Sequence, residues 1–189
     1  MTLPNKITFA RIAILPFILY LYYSTNITVF VVGYILGWVF GLTDFLDGYL
    51  ARKLGQVSVL GKILDPIADK VFVLLICLFF VDKKLLPAWA LIILILREVA
   101  ISDFRIFAMQ QGKEVAVSWT GKWKALLQYI LIAYFGLIQM ILIKNPGTQL
   151  ADYPVWHAIG LVIMIATLTL TLLSLFEYFW SNRALLGRS

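Results

Sequence analysis

Cysteine, histidine and charged residues are scarce in this sequence. The one cysteine, Cys77, lies in the apolar run VLLICLFF, so a disulfide framework is excluded and the thiol is expected to pack as a small apolar group. The one histidine, His157, stands beside Trp156 at an expected membrane interface, and we expect no catalytic role for it. Charged residues make up 14% of the chain, against about 25% in soluble domains.

Apolar residues are correspondingly abundant. They make up 62% of the 189 residues, more than an ordinary soluble core absorbs. No Ser-, Gly- or Pro-rich linker, low-complexity tract or repeat divides the sequence, which predicts a single domain over residues 1–189. The basic and then apolar N-terminus lacks a small-x-small cleavage site, so we interpret it as a retained first span.

Six apolar runs approach or exceed the roughly 20 residues that a spanning helix needs. They are too long and too uniformly apolar for barrel strands. The sequence therefore predicts an all-α integral membrane protein with six transmembrane helices, over residues 7–23, 29–52, 60–81, 86–110, 121–143 and 155–180.

The net charge of +6 is distributed between these runs, so membrane topology and an anionic substrate explain it better than a nucleic-acid partner. With the N-terminus inside, most basic residues fall at cytoplasmic ends, and the positive-inside rule places both termini in the cytoplasm. Lys83, Lys84 and Lys144 fall outside. The cytoplasmic set is Lys6, Arg11, Arg52, Lys53, Lys62, Lys70, Arg105, Lys113, Lys122, Lys124, Arg183 and Arg188.

Four aspartates interrupt the second and third runs. Asp44 and Asp47 are three residues apart, Asp65 and Asp69 are four apart, and each pair therefore lies on one helical face. Two helices joined by a short loop can bring the pairs together, and four converging carboxylates would not all ionise unaided. Magnesium, manganese or calcium suits such oxygen ligands, and two ions about 4 Å apart would act together in phosphoryl chemistry. The alternative is a set of interfacial acids paired with nearby cations, namely Arg52, Lys53, Lys62 and Lys70.

Small residues accompany the acids. Gly33, Gly37 and Gly41 recur every four residues, a spacing that lets helix backbones approach closely. The same stripe extends through Asp44 and Gly48, so the acidic face is expected to turn toward other helices. The glycines would pack in the same way without any metal.

The acidic segment reads Asp44-x2-Asp47-Gly48-x2-Ala51-Arg52-x8-Gly61-x3-Asp65-x3-Asp69. It resembles the complete signature of the CDP-alcohol phosphotransferases, with every fixed position filled. The resemblance implies a six-helix membrane enzyme, usually a homodimer, that displaces CMP from a CDP-linked lipid with an alcohol. It also implies two divalent cations, Mg²⁺ or Mn²⁺, on the four aspartates, with Asp69 additionally serving as the base on the acceptor hydroxyl.

The N-terminal PNKITFARI places Asn5, Thr8 and Arg11 near one helical face. By themselves these residues indicate helix capping and a positive-inside arginine. In the family a similar pattern lies near the nucleotide, so the resemblance implies a set of CDP-diacylglycerol contacts. This set is Asn5, Thr8, Arg11, Gly48, Ala51, Arg52 and Gly61.

Arg97 lies inside the fourth run, where a charge is costly unless it is paired or faces a polar cavity. Glu98 and Asp103 are candidate partners. A cavity that gathered Arg97 with Arg105 and Lys122 would suit a phosphate dianion, because guanidinium and ammonium groups make charge-assisted bonds to its oxygens. This predicts a phosphate-bearing acceptor such as glycerol 3-phosphate and argues against choline or ethanolamine.

The second half also resembles the family members that use glycerol 3-phosphate. The similarity rests on Arg97-Glu98, Ser102 and Arg105, followed by VAVSW-x-GK-x-K at residues 115–124. It implies that CDP-diacylglycerol and sn-glycerol 3-phosphate give phosphatidylglycerophosphate and CMP at the cytoplasmic face of a bacterial inner membrane. Asp103 departs from the pattern, which has a small or apolar residue there. The implied acceptor contacts are Arg97, Arg105, Lys122, Ser118 and Lys124.

Other functions remain open at this point. The same fold could use inositol phosphate or phosphatidylglycerol as the acceptor. A cation transporter would place its acids near the midplane rather than at one interface. Intramembrane aspartyl proteolysis would leave two of the four acids unexplained. Metal-dependent CMP release would separate the phosphotransferase from both of these.

Overall fold

The structure is a computed structural model that describes the backbone of residues 3–54, 59–110 and 119–183. Side chains are described over residues 13–41, 70–108 and 119–183. Each predicted apolar run is a helix in this structure, with ends within four residues of the expected ones. The helices are α1 Leu3–Tyr22, α2 Ile27–Leu54, α3 Val59–Asp82, α4 Ala88–Gln110, α5 Trp119–Lys144 and α6 Pro154–Ser181.

Local sequence explains where two of the helices begin. The side-chain Oδ1 of Asn26 accepts a hydrogen bond from the backbone N–H of Thr28 at 2.9 Å, which caps the start of α2. Pro154 occupies the first turn of α6, where its missing N–H costs nothing. A 3-10 turn over Leu150–Asp152 precedes α6, and the apolar runs did not indicate it.

The structure divides into two compact units, and each is described by itself. The first comprises Met1–Asp82 and Gln139–Gly147. Within it α1 packs on both α2 and α3, around the buried aromatic rings of Tyr22, Phe30 and Phe79. A single domain over residues 1–189 stays a prediction.

Close helix packing in this first unit depends on Gly33. A Cβ added there would lie 2.6 Å from the Cβ of Leu21 on α1, so α1 and α2 approach as the glycine spacing predicted. Cys77 is fully buried, which confirms its expected packing role.

The second unit comprises Lys83–Ile138 and Thr148–Ser189. Here α4 packs on α6 through Ile101, Phe104, Ala108 and Tyr178. The structure also buries polar side chains on α6, and each hydroxyl bonds a carbonyl of its own preceding turn. These side chains are Thr167, Thr171 and Ser174.

Two helices of the described ranges, α5 and α6, are long and apolar enough to cross a membrane. Shorter apolar stretches cover Ala13–Tyr22 and Ile27–Gly41. Large apolar side chains remain exposed on α6, including Val162 at 67% and Phe176 at 66%. Exposed apolar surfaces of this kind are typical of helices that face lipid. The six-span topology stays a prediction.

Candidate functional site

The four aspartates lie on two helices of the first unit. Asp44 and Asp47 belong to α2, Asp65 and Asp69 belong to α3, and these two helices contact each other. The helical backbone places each pair about one turn apart. The side chains of residues 42–69 lie outside those the structure describes, so the metal centre stays a prediction from spacing and residue type.

The expected CDP-diacylglycerol contacts also lie on described helices without described side chains. Asn5, Thr8 and Arg11 are on α1, Gly48, Ala51 and Arg52 are on α2, and Gly61 is on α3. Ser118, an expected acceptor contact, lies outside the described residues altogether. The structure leaves these contacts as predictions.

Arg97 on α4 has two partners within the second unit. Its Nη1 donates to Oε1 of Glu98 at 3.0 Å, and its Nε donates to Oγ of Ser174 on α6 at 3.2 Å. Only 11% of the Arg97 side chain is exposed. The sequence correctly required a partner for a buried arginine, and Glu98 provides the opposite charge.

Asp103 does not belong to this cluster, although it was a candidate partner of Arg97. It is exposed, and two residues of helix place it about 200° around α4 from Arg105. Within the described residues no ion pair joins Asp103 to either arginine. Of the two candidate partners of Arg97, the structure therefore selects Glu98 and not Asp103.

Lys124 on α5 is the lysine that joins Arg97. Its side chain is 4% exposed, and its Nζ donates to the same Glu98 oxygen that Arg97 contacts. One carboxylate thus serves two buried cations from two helices. Burial of an ammonium group requires such a partner.

The structure does not bring Lys122 to Arg97. Its Nζ stands 5.5 Å from the centre of the Trp119 ring, and the residue is exposed. Two residues of helix separate it from Lys124 by about 200° around α5. If Lys122 contacts the acceptor as predicted, the acceptor must reach the exposed side of α5.

Arg105 lies two turns beyond Arg97 on α4. Its Nε is buried and makes no hydrogen bond among the residues that the structure describes. Most buried N–H groups in native proteins have a partner, and an unpaired one costs about 1–3 kcal/mol. This donor therefore has an unmet hydrogen-bonding capacity that an anionic oxygen would satisfy.

Two contacts to α6 were not predicted. Ser174 holds the Nε of Arg97 and donates its own proton to the carbonyl of Thr171 at 2.9 Å. Thr120 at the start of α5 donates to Oε2 of Glu177. A polar stripe at helical spacing within an apolar run is the signal that could have found this face, namely Thr167, Thr171, Ser174 and Tyr178.

The arrangement concentrates positive charge inside the second unit. Among the buried and partly buried residues just described, Arg97, Lys124 and Arg105 carry three formal positive charges, and Glu98 and Glu177 carry two negative ones. The arginine fork and the lysine point charge are the groups that proteins use for phosphate and carboxylate anions. These side chains are of the types that bind small dianions, and their contact with the acceptor stays a prediction.

A comparison with protein families identifies the family of this chain. The model of the CDP-alcohol phosphatidyltransferase family matches residues 1–180. The chain belongs to the CDP-alcohol phosphatidyltransferase family, as its acidic segment predicted.

Particular relatives resemble the chain over most of its length. The CDP-diacylglycerol–glycerol-3-phosphate 3-phosphatidyltransferase of Bacillus subtilis (strain 168) is 34% identical over an alignment 192 residues long. The alignment covers 95% of this chain and 94% of the relative. The protein of that name from Rickettsia typhi (strain ATCC VR-144 / Wilmington) is 30% identical over 177 residues, 94% of each chain. That from Haemophilus influenzae (strain ATCC 51907 / DSM 11121 / KW20 / Rd) is 36% identical over 143 residues, 72% of this chain and 75% of the relative.

Proposed function

We propose that this enzyme transfers the phosphatidyl group of CDP-diacylglycerol to sn-glycerol 3-phosphate, which gives phosphatidylglycerophosphate and CMP. The observation that carries the proposal is the buried cationic cluster of Arg97 and Lys124 around Glu98, with Arg105 beyond it. A phosphorylated acceptor matches this charge, whereas choline and ethanolamine are cations. The names of the relatives support the same donor and acceptor.

The acceptor phosphate is bound by the cations of the second unit. Arg97 keeps its remaining guanidinium donors beyond the contacts to Glu98 and Ser174. Arg105 adds an unpaired Nε, and Lys124 adds a buried ammonium. Fixed cations of this kind hold a substrate in position and so reduce the entropic cost of reaction. Ser118 and Lys122 complete the proposed acceptor contacts.

The acidic segment carries the reaction itself. Asp69 takes the proton of the acceptor hydroxyl, the alcohol oxygen forms a bond to the phosphatidyl phosphorus, and the pyrophosphate bond breaks to release CMP. The proposed contacts to the donor are Asn5, Thr8, Arg11, Gly48, Ala51, Arg52 and Gly61.

The donor set on α2 and α3 fits divalent metal, because four carboxylates on two contacting helices offer only hard oxygen ligands. Two cations, Mg²⁺ or Mn²⁺, would neutralise charge on the pyrophosphate and on the departing CMP. The proposed ligands are Asp44, Asp47, Asp65 and Asp69.

The proposed setting is a bacterial cytoplasmic membrane. All six helices span it, both termini lie in the cytoplasm, and the aspartates meet the cytoplasmic surface. The excess of basic residues at that side supports this orientation. The functional unit is a homodimer by analogy with the family.

CMP release by the purified protein tests the function. With CDP-diacylglycerol and Mg²⁺, we expect glycerol 3-phosphate to support CMP release, and neither inositol phosphate nor phosphatidylglycerol to do so. EDTA should abolish turnover, and Asp69→Asn should lower kcat by about 10²–10⁴. Product from inositol phosphate but not from glycerol 3-phosphate would make the acceptor assignment wrong, and near wild-type turnover of Asp69→Asn with metal bound would refute the base.

A further inference from the structure

The hydroxyl of Tyr178 is a buried polar group without a partner. Tyr178 is 3% exposed, and its Oη makes no hydrogen bond among the described residues. Its ring packs on α4, with an edge-to-face contact to Phe104 at a centroid distance of 5.4 Å. Phenylalanine would preserve this packing without the cost of a buried, unsatisfied hydroxyl. Packing within the described residues therefore gives the hydroxyl no role.

The second unpaired donor lies on the helix segment that Tyr178 covers. Tyr178 belongs to one buried cluster with Ile101, Phe104 and Ala108, and Arg105 lies within the same two turns of α4. The Nε of Arg105 is the other buried side-chain atom without a partner in the described part of the chain. Two unpaired donors on packed helices can both be satisfied by a single anion, since an anionic oxygen accepts several hydrogen bonds.

The preceding turn of α6 already shows how such contacts are made. Ser174 lies one turn before Tyr178 and accepts the Nε donor of Arg97. Residues four apart share a helical face, so Ser174 and Tyr178 face two successive parts of α4. Arg97 has its partners within the protein, whereas the Nε of Arg105 and the hydroxyl of Tyr178 have none that the structure describes.

We infer that the Tyr178 hydroxyl donates a hydrogen bond to the phosphate of the acceptor, beside the Nε of Arg105. This inference rests on the proposed function and adds a specificity-determining residue to it. The contact favours a phosphorylated alcohol over the same alcohol without phosphate, because only the phosphate offers an anionic oxygen to both donors. A hydrogen bond to a charged group is stronger than one between neutral groups.

Tyr178→Phe tests the contact, because it removes the hydroxyl and keeps the ring. We expect the KM for glycerol 3-phosphate to rise by about 10- to 100-fold, the loss typical of one hydrogen bond to a charged group, with kcat and the KM for CDP-diacylglycerol within about twofold of wild type. The melting temperature without acceptor should be unchanged or higher. A merely structural hydroxyl would instead lower that temperature and leave the KM unchanged.

Tyr134→Phe is the matched control. Its hydroxyl donates to the backbone carbonyl of Trp156, so its removal should lower thermal stability and leave the KM for glycerol 3-phosphate unchanged. An equal rise in KM for both variants would overturn the inference, as would an unchanged KM in Tyr178→Phe.

Inorganic phosphate separates the contact from the proposed function. Phosphate should raise the melting temperature of the wild-type protein and should raise that of Tyr178→Phe less. This result would support the anion contact even if glycerol 3-phosphate proved not to be the acceptor, which would overturn only the proposed function. Equal stabilisation of the two proteins by phosphate would overturn the contact.

Discussion

At the scale of single residues, Glu98 organises the buried charge of the second unit. One of its carboxylate oxygens accepts from both Arg97 and Lys124, which belong to different helices. The Arg97 guanidinium is also held by Ser174. Two of the proposed phosphate cations, Arg97 and Lys124, are therefore held in position by the protein itself, and this lowers the entropic cost of binding.

Glu98→Ala should lower the free energy of unfolding by about 3–5 kcal/mol, because it leaves two buried cations without their shared anion. Thermal unfolding in detergent measures the effect. The matched control is Asp103→Ala, which removes an exposed acid from the other side of the same helix and should change stability by no more than about 0.5 kcal/mol. Equal losses in the two variants would show that Glu98 is not a structural anion.

At the scale of helices, the approach of α1 to α2 is set by a missing side chain. The nearest atom to a Cβ at Gly33 would be the Cβ of Leu21, followed by the backbone carbon of Leu21 at 3.3 Å. The Cβ of Leu21 is fixed to the backbone of α1 and cannot move aside by side-chain rotation. The two helices themselves would therefore have to separate. Van der Waals packing is a main source of helix association in lipid.

Gly33→Ala should destabilise the protein by about 1–3 kcal/mol, the typical cost of overpacking, despite the gain in helix propensity that alanine brings. Gly37→Ala is the comparison, because there the added Cβ would meet the Tyr22 hydroxyl at 3.0 Å, at the far end of a side chain. We expect a smaller loss of melting temperature for Gly37→Ala. A reversed order would contradict close α1–α2 packing at Gly33.

At the scale of the whole molecule, the proposed topology makes α6 a membrane span. Ala151 precedes this helix and Ser181 ends it, and both are exposed. With Cys77 replaced by alanine, an impermeant maleimide should label Ala151→Cys in intact cells. It should label Ser181→Cys only after the membrane is permeabilised. Labelling of both from the same side would rule out a single crossing by α6.

Helix positions and family membership followed from the sequence, because both depend on short-range patterns. Apolar runs of sufficient length predicted α1 to α6 within four residues at each end. The spacing of acids and small residues between Asp44 and Asp69 predicted the family that the comparison confirmed. The short turn at Leu150–Asp152 was missed, since three residues carry too weak a pattern.

The sequence by itself determined the helices, the cost of a buried Arg97 and the acidic signature. Only the tertiary structure decided that Lys124 rather than Lys122 meets Glu98, that Asp103 stands apart, and that Ser174 reaches Arg97 from 77 residues away. The physical reason is that helical periodicity determines which residues share a face. Which faces meet is determined by the packing of helices that are distant along the chain.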